Sequence, residues 1–214
     1  VKFNHVNVDL EAGSRDKSHN YKFGGNAYPG MTTVLHKTQP KHKIDRLNNW
    51  KKNTPHSEYI VRFAADIGTD THKLIENYLS NTGEAESCHL LAFAHFSQLK
   101  PLLDKINNVH GLEVFLYSKN FKVAGTADTV AEYDGRLSII DYKTKRSNQV
   151  EEYLHDAFLQ STGYAIMWEE MTGQKIEQIV ILVSSEKMQV EVFVKNPDDY
   201  KTQLQQRILK YHAL

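Results

Sequence analysis

The 214 residues include 40% hydrophobic and 24% charged side chains, proportions that fit one ordinary globular domain with a sizeable core and exclude a disordered or fibrous chain. Twenty-six basic residues balance 26 acidic ones, so attraction to a polyanion must rest on a local basic surface and not on net charge. Cys88 is the only cysteine, which excludes an intrachain disulfide and any multi-cysteine or iron–sulfur site and fits a reducing compartment. No apolar run is long enough to span a bilayer.

From Val1 to Gly30 the chain is polar, and Gly24-Gly25-Asn26 marks a short hairpin or loop over Tyr21–Tyr28. Met31-Thr-Thr-Val-Leu35 reads as the entry to a helix, with a threonine as N-cap. Ile44, Leu47 and Trp50 then recur at helical spacing, predicting an amphipathic helix over 44–53 that Thr54-Pro55 ends. Lys37, Lys41, Lys43, Arg46, Lys51 and Lys52 surround Trp50. This cluster is either a solvated helix face or a basic track for nucleic acid. Trp50 is correspondingly either a core residue continuing the Leu47 stripe or a platform on which bases stack.

Over Glu58–Leu79, apolar positions from Ile60 to Tyr78 predict a long helix interrupted or bent around Gly68. His72 and Glu76 sit one turn apart on its surface. A loop over Asn81–Glu86 leads to a helix predicted over Leu90–Ile106, which Pro101 is expected to split. Leu112–Ser118 alternates weakly and reads as the first strand of the sheet. Glu113 on that strand is either a rim charge or a further metal ligand.

Val123–Tyr133 and Leu137–Lys143 alternate on either side of Asp134-Gly135, the strongest short-range signal for a two-residue hairpin turn. With Tyr133 facing Arg136, the register sets Asp128 opposite Asp141 and Thr126 opposite Lys143, with Asp128, Asp141 and Lys143 on one face. Like charges so placed are destabilising unless something compensates. A divalent cation compensates, and hard Mg²⁺ suits oxygen ligands. A lysine two residues beyond Asp141 would stand beside it.

Glu151–Met171 carries Leu154, Phe158, Ser161, Ala165 and Trp168 on one stripe, an amphipathic helix ended by Thr172-Gly173. Gln160 and Tyr164 lie beside the stripe, bonding either to the sheet or to a bound strand. Ile176–Ser184 and Met188–Lys195 form a second antiparallel pair, and Asn196-Pro197-Asp198 opens a last helix. The order predicts an α/β domain, a mixed central β-sheet flanked by helices. Residues 1–214 read as a single domain, with 1–110 a mainly helical elaboration and 111–214 the sheet-containing core.

Gly125-Thr-Ala-Asp128 followed by Ile140-Asp141-Tyr-Lys143-Thr144 resembles the core of the PD-(D/E)XK nuclease superfamily. Gly68-Thr-Asp-Thr-His72-Lys-Leu-Ile-Glu76 and Gln160-Ser-Thr-Gly-Tyr164 extend the likeness to the RecB-type branch. Within that branch the chain resembles single-domain exonucleases related to the mitochondrial genome maintenance exonuclease and to phage proteins. The resemblance implies a restriction-endonuclease-like core and a metal-dependent exonuclease acting on DNA, preferring single strands or ends. It also implies Mg²⁺ or Mn²⁺ held by His72, Asp128, Asp141 and the Tyr142 carbonyl, with Lys143 positioning the attacking water and Glu76 orienting the imidazole. Gln160 and Tyr164 would steady the strand, and Lys41, Lys43, Lys51 and Trp50 would extend its track. Ala127 stands where the superfamily's motif has proline. The alternatives are a structure-specific or restriction-type endonuclease and a catalytically silent DNA-binding module. The expected setting is intracellular: a host cytoplasm for a viral protein, or the mitochondrial matrix had a transit peptide preceded Val1.

Overall fold

The computed structural model describes residues 1–16, 20–83, 88–147 and 151–214. Its centre is a five-stranded sheet in the order β4-β5-β6-β7-β8, built from Ile106–Ser118, Val123–Tyr133, Arg136–Lys145, Gln178–Ser185 and Val190–Lys195. Only β6 and β7 run parallel. A parallel return needs a crossover, and the helix α5 (His155–Thr172) supplies it. Ahead of the sheet lie a small three-stranded unit, β1 to β3 (Ser14–Arg15, Tyr21–Phe23, Asn26–Tyr28), and helices α1 (Met31–Lys37), α2 (Lys41–Asn53), α3 (Ser57–Leu79) and α4 (Leu90–Leu103). After β8, a 3-10 turn over Pro197–Tyr200 leads into α6 (Lys201–His212). No helix among the described residues is long and apolar enough to cross a membrane.

Period-two alternation sorts the central strands into two cores. Ile139, Ile181 and Val183 pack with Phe158, Trp168 and Ile208 beneath α5 and α6. Ile140, Tyr142, Val180 and Leu182 pack with Leu74, Ile75, Phe96 and Leu99 beneath α3 and α4. Asp141 and Lys143 share the parity of Ile139 and so belong to the α5 face. The hairpin forms as predicted, with Tyr133 paired to Arg136 and positive φ at both Asp134 (49°) and Gly135 (76°), the geometry that matches strand twist.

Several local expectations are corrected. The N-cap of α1 is Gly30, without a side-chain hydrogen bond, because the chain arrives extended and the Gly30 carbonyl itself takes the Val34 N–H at 3.0 Å. Helix α3 runs unbroken through Gly68. A mid-helix glycine costs only about 1 kcal/mol relative to alanine, less than burying Ile67, Leu74 and Ile75 returns. Pro101 lies inside the last turn of α4 without splitting it, and Ile106 already begins β4. Residues 84–86 of the predicted loop after α3 lie outside the described residues.

Helix α2 is the largest departure. Its stripe is amphipathic, yet none of its residues is buried, and Ile44, Leu47 and Trp50 remain 40%, 42% and 37% exposed. Periodicity reports that a helix has an apolar side, not that a core remains for it; here α1, α5 and α6 already fill that face of the sheet.

Candidate active site

Strand pairing brings three carboxylates to one level. Glu113 of β4 falls between the pairs Leu112–Thr129 and Val114–Ala127, level with Asp128 of β5. Asp141 of β6 is the next residue after the pair Thr129–Ile140, level with Asp128 on its other side. There the β5–β6 ladder ends, and Asp128 Oδ2 accepts the Tyr142 N–H at 3.3 Å. Because the ladder ends there, Thr126 does not pair with Lys143 as predicted; on its other edge it pairs with Phe115 of β4. Glu113 stands at φ 46°, a left-handed conformation unusual for a non-glycine residue and a form of strain that clusters at functional sites.

Helix α3 delivers His72 over this opening. Its Nε2 lies 3.0 Å from the Tyr142 carbonyl, which can only accept, so Nε2 carries the proton. The other ring nitrogen, Nδ1, faces Asp128 Oδ2 3.6 Å away. Ligand atoms of His72, Glu113 and Asp128 all lie within 4.8 Å of one another. On the other side of Asp128, Lys143 Nζ donates to Asp141 Oδ1 at 2.8 Å. Asp141 Oδ2 is 2.6 Å from the same nitrogen but buried without a hydrogen bond.

These donors fit a divalent cation. Hard oxygens with one imidazole nitrogen suit Mg²⁺-like ions, and the carboxylates of Glu113, Asp128 and Asp141 brought to one level are what a cation would compensate. Burial first, then the Asp141 carboxylate, raises the pKa of Asp128 against the lowering influence of His72 and Lys143. Withdrawal from water and the Asp128 carboxylate push Glu113 up to about 7. Burial works against the Lys143 ammonium, but Asp141 and Asp128 outweigh it and hold its pKa above the ordinary value. Lys143 is therefore a charged donor and not a base.

A raised carboxyl pKa means that folding favours the protonated form. That contribution is complete below unfolded-state values of about 4 and is lost as pH rises through about 7 for Glu113. The cation-free protein is thus expected to melt higher at pH 5.5 than at pH 8, and Glu113→Gln to flatten the difference. A divalent cation, which needs ionised ligands, should reverse the order. Identical Tm values at both pH values without cation would contradict the crowding described here.

The remaining candidates separate. Glu76 pairs with Lys73 at 2.8 Å, and the orienting bond expected from it comes from the Tyr142 carbonyl; an ammonium one turn away is the stronger attraction. Glu76 still lines the same cleft as His72 and Glu113. Tyr164 is buried, and its ring packs where a Gly125 Cβ would come within 2.4 Å, which is why that motif needs glycine. Gln160 Nε2 donates to Tyr164 Oη at 2.9 Å and Thr32 Oγ1 at 3.0 Å. It lines a hollow with Lys143, Lys145, Gln39, Tyr153 and Asp156. That hollow continues past Gln39, Tyr153 and Asp156 to Lys43, Arg46 and Trp50. Arg46 lies 4.8 Å over the Tyr153 ring, and Lys43 pairs with Asp156 at 3.4 Å. Lys41 and Lys51 are exposed on the same helix, α2.

Sequence reasoning passed over Lys145, Thr32 and Tyr153. The first was signalled by continuing the Asp141-Lys143 alternation one step, and Thr32 by the Pro29–Leu35 stretch. Tyr153 becomes visible only when α5 is docked.

Three relatives align with the chain. Over 145 residues it is 27% identical to Mitochondrial genome maintenance exonuclease 1 of Homo sapiens, covering 64% of this chain and 40% of that protein. The Mus musculus protein of the same name is 28% identical over 129 residues, 56% of this chain and 37% of that one. For Xenopus tropicalis the figures are 27% over 139 residues, 61% and 39%. The chain thus spans about two fifths of the length of these relatives. Residues 41–212, from the start of α2 to the end of α6, match the PD-(D/E)XK nuclease superfamily. Nucleases of this superfamily generally use divalent metal ions, in keeping with the donors gathered at the end of the β5–β6 ladder. The motifs around Asp128 and Asp141 and the match across most of the chain lead to one conclusion: the protein belongs to the PD-(D/E)XK nuclease superfamily.

Proposed function

We propose that this chain is a metal-dependent DNA exonuclease that hydrolyses phosphodiester bonds and prefers single strands or DNA ends. The reading is carried by one observation: the hollow beside Lys143 continues, through shared Gln39, Tyr153 and Asp156, to a half-exposed Trp50 flanked by Lys43 and Arg46. Cations that follow a backbone, together with aromatic faces on which bases stack, are the pattern of single-strand binding. The names of the relatives support the same class.

Asp128 and Asp141, with His72, Glu113 and the Tyr142 carbonyl to which His72 bonds, would hold Mg²⁺ or Mn²⁺. Such an ion supplies Lewis-acid stabilisation of phosphate charge and a more acidic bound water. Lys143, kept charged by its two carboxylates, donates hydrogen bonds that position the attacking water and offset charge building on the phosphate. The Gln160–Tyr164–Thr32 chain fixes the wall along which the strand lies. Lys41, Lys43, Lys51 and Trp50 extend that wall away from the reacting phosphate.

The test is incubation with end-labelled linear single-stranded DNA, linear duplex and circular single strands, with Mg²⁺ and with EDTA. Short products from the linear single strand, only with Mg²⁺, and an intact circle are expected. Cleavage of the circle at a comparable rate would turn the reading to an endonuclease. Hydrolysis of no DNA with Mg²⁺, or with Mn²⁺ in its place, would overturn it.

A further inference from the structure

A second cavity, of about 300 Å³, opens on the other side of the end of β6, between the first half of α3 and the start of α4. Ile60, Phe63, Ile67 and Leu91 make most of its wall apolar. At its base lies His95, 1% exposed, with Nδ1 2.9 Å from Ser184 Oγ. Among the described residues the ring makes no other hydrogen bond, so Nε2 is left as a polar atom in an apolar wall. Burial lowers the pKa of His95, keeping the ring neutral and able to donate or accept according to tautomer. At the mouth, Tyr59 and Phe63 stack with ring centroids 6.0 Å apart. The opposite lip carries Lys145 and Arg146, neither with an ion-pair partner among the described residues. Lys145 also lines the hollow that contains Lys143, so the two cavities meet at the same strand end.

An apolar slot with one placed polar group is what a flat heterocycle needs, and the cationic lip is complementary to the phosphates that flank it. Glu186, at the turn between β7 and β8, adds an acceptor to the lining. We propose that this cavity is a nucleobase subsite. The base of a nucleotide next to the scissile phosphate leaves the stack and lies against Phe63 and Leu91 with its edge toward His95. The phosphates on either side of it meet Lys143 and Lys145, whose Cα atoms lie about 6.6 Å apart along the strand. The inference rests on the nuclease reading and adds to it a handhold on the base, by which the strand is advanced one nucleotide at a time.

Ala64 lines the cavity from an exposed helix position, so Ala64→Trp fills the slot with little consequence for folding, which a thermal melt checks. The substrate is a linear single-stranded oligonucleotide, intact or with one abasic residue, followed step by step with Mg²⁺. Wild-type protein is expected to slow about tenfold at the step where the abasic residue reaches the subsite, the scale of one lost stacking contact. Ala64→Trp should be slow at every step and indifferent to the abasic residue. In the Asp141→Asn background, an oligonucleotide with 2-aminopurine at one position should change fluorescence on binding, and Ala64→Trp should abolish that change. Unslowed passage of the abasic residue by wild type, or discrimination retained in Ala64→Trp, overturns the subsite and leaves the cavity to an apolar side chain of a protein partner. Failure to hydrolyse any DNA, with the 2-aminopurine response intact, sinks the nuclease reading and not the subsite.

Discussion

Asp141→Asn is expected to lower hydrolysis of single-stranded DNA by about 10³-fold or more, because a metal ligand's share of transition-state stabilisation is several kcal/mol. Stability should hardly move. The substitution removes a repulsion with Asp128, level with it across the strand gap, and at the same time an attraction to Lys143 at 2.6 Å. Lys143 keeps Asp128 as a charged neighbour and retains partial access to water, with 28% of its side chain exposed. The two effects oppose each other, and a net change of about 1 kcal/mol in either direction is roughly 2–4 °C in Tm for a chain of this size. Divalent ions should raise the Tm of the variant less than that of wild type. Full activity in Asp141→Asn would remove the carboxylate pair from the mechanism.

Lys143→Ala should separate chemistry from metal binding in the opposite direction. Turnover is expected to fall about 10²- to 10³-fold, the usual consequence of losing one preorganised donor. Affinity for the ion should hold or rise, since the cluster loses its compensating cation and gains net negative charge. Without metal the variant should melt lower than wild type: Asp141, 4% exposed, would keep a buried carboxylate with no partner, a loss of about 1–3 kcal/mol. Saturating Mg²⁺ should restore much of it by mass action. Titrations that show metal affinity lost to the same extent as in Asp141→Asn would contradict a lysine that acts on water and phosphate.

What could be seen in the sequence was what local rules govern. Asp134-Gly135 set the hairpin register, and the register set Asp128 beside Asp141. His72 and Lys143 entered through motifs whose spacing survives folding. Glu113 was legible as a strand residue, but its level with Asp128 depends on two shifts in the β4–β5 register, between Asn107 and Val109 and between Val109 and Gly111, which alternation cannot reveal. The same limit applies to α2. Ile44, Leu47 and Trp50 announced an apolar stripe, while the surface available to receive it was decided by α1 together with α5 and α6, which lie more than a hundred residues further along the chain. The cavity beneath Tyr59 and Phe63 was invisible for a related reason. Its floor combines α3, α4 and the ends of β6 and β7, and no single segment carries its signature.

The lack of burial in α2 has a consequence for how the molecule opens. A helix that buries none of its side chains fully, with Ile44, Leu47 and Trp50 only partly covered, gains less from the transfer of apolar surface than the helices over the sheet, and its 13 residues are about the length at which an isolated helix is marginal in water. The Lys43–Asp156 contact, partly exposed at both ends, and Arg46 over the Tyr153 ring add only a little to that. Such a segment is expected to open at a lower free energy than the sheet, which native-state hydrogen exchange of its amides would read. Two levels of protection are then expected, a high one shared by the strands and their covering helices and a lower one in α2. Substitutions at Ile44, Leu47 or Trp50 are expected to lower this second level more than the first, so that the helix can change in sequence with little cost to the fold that carries the carboxylates.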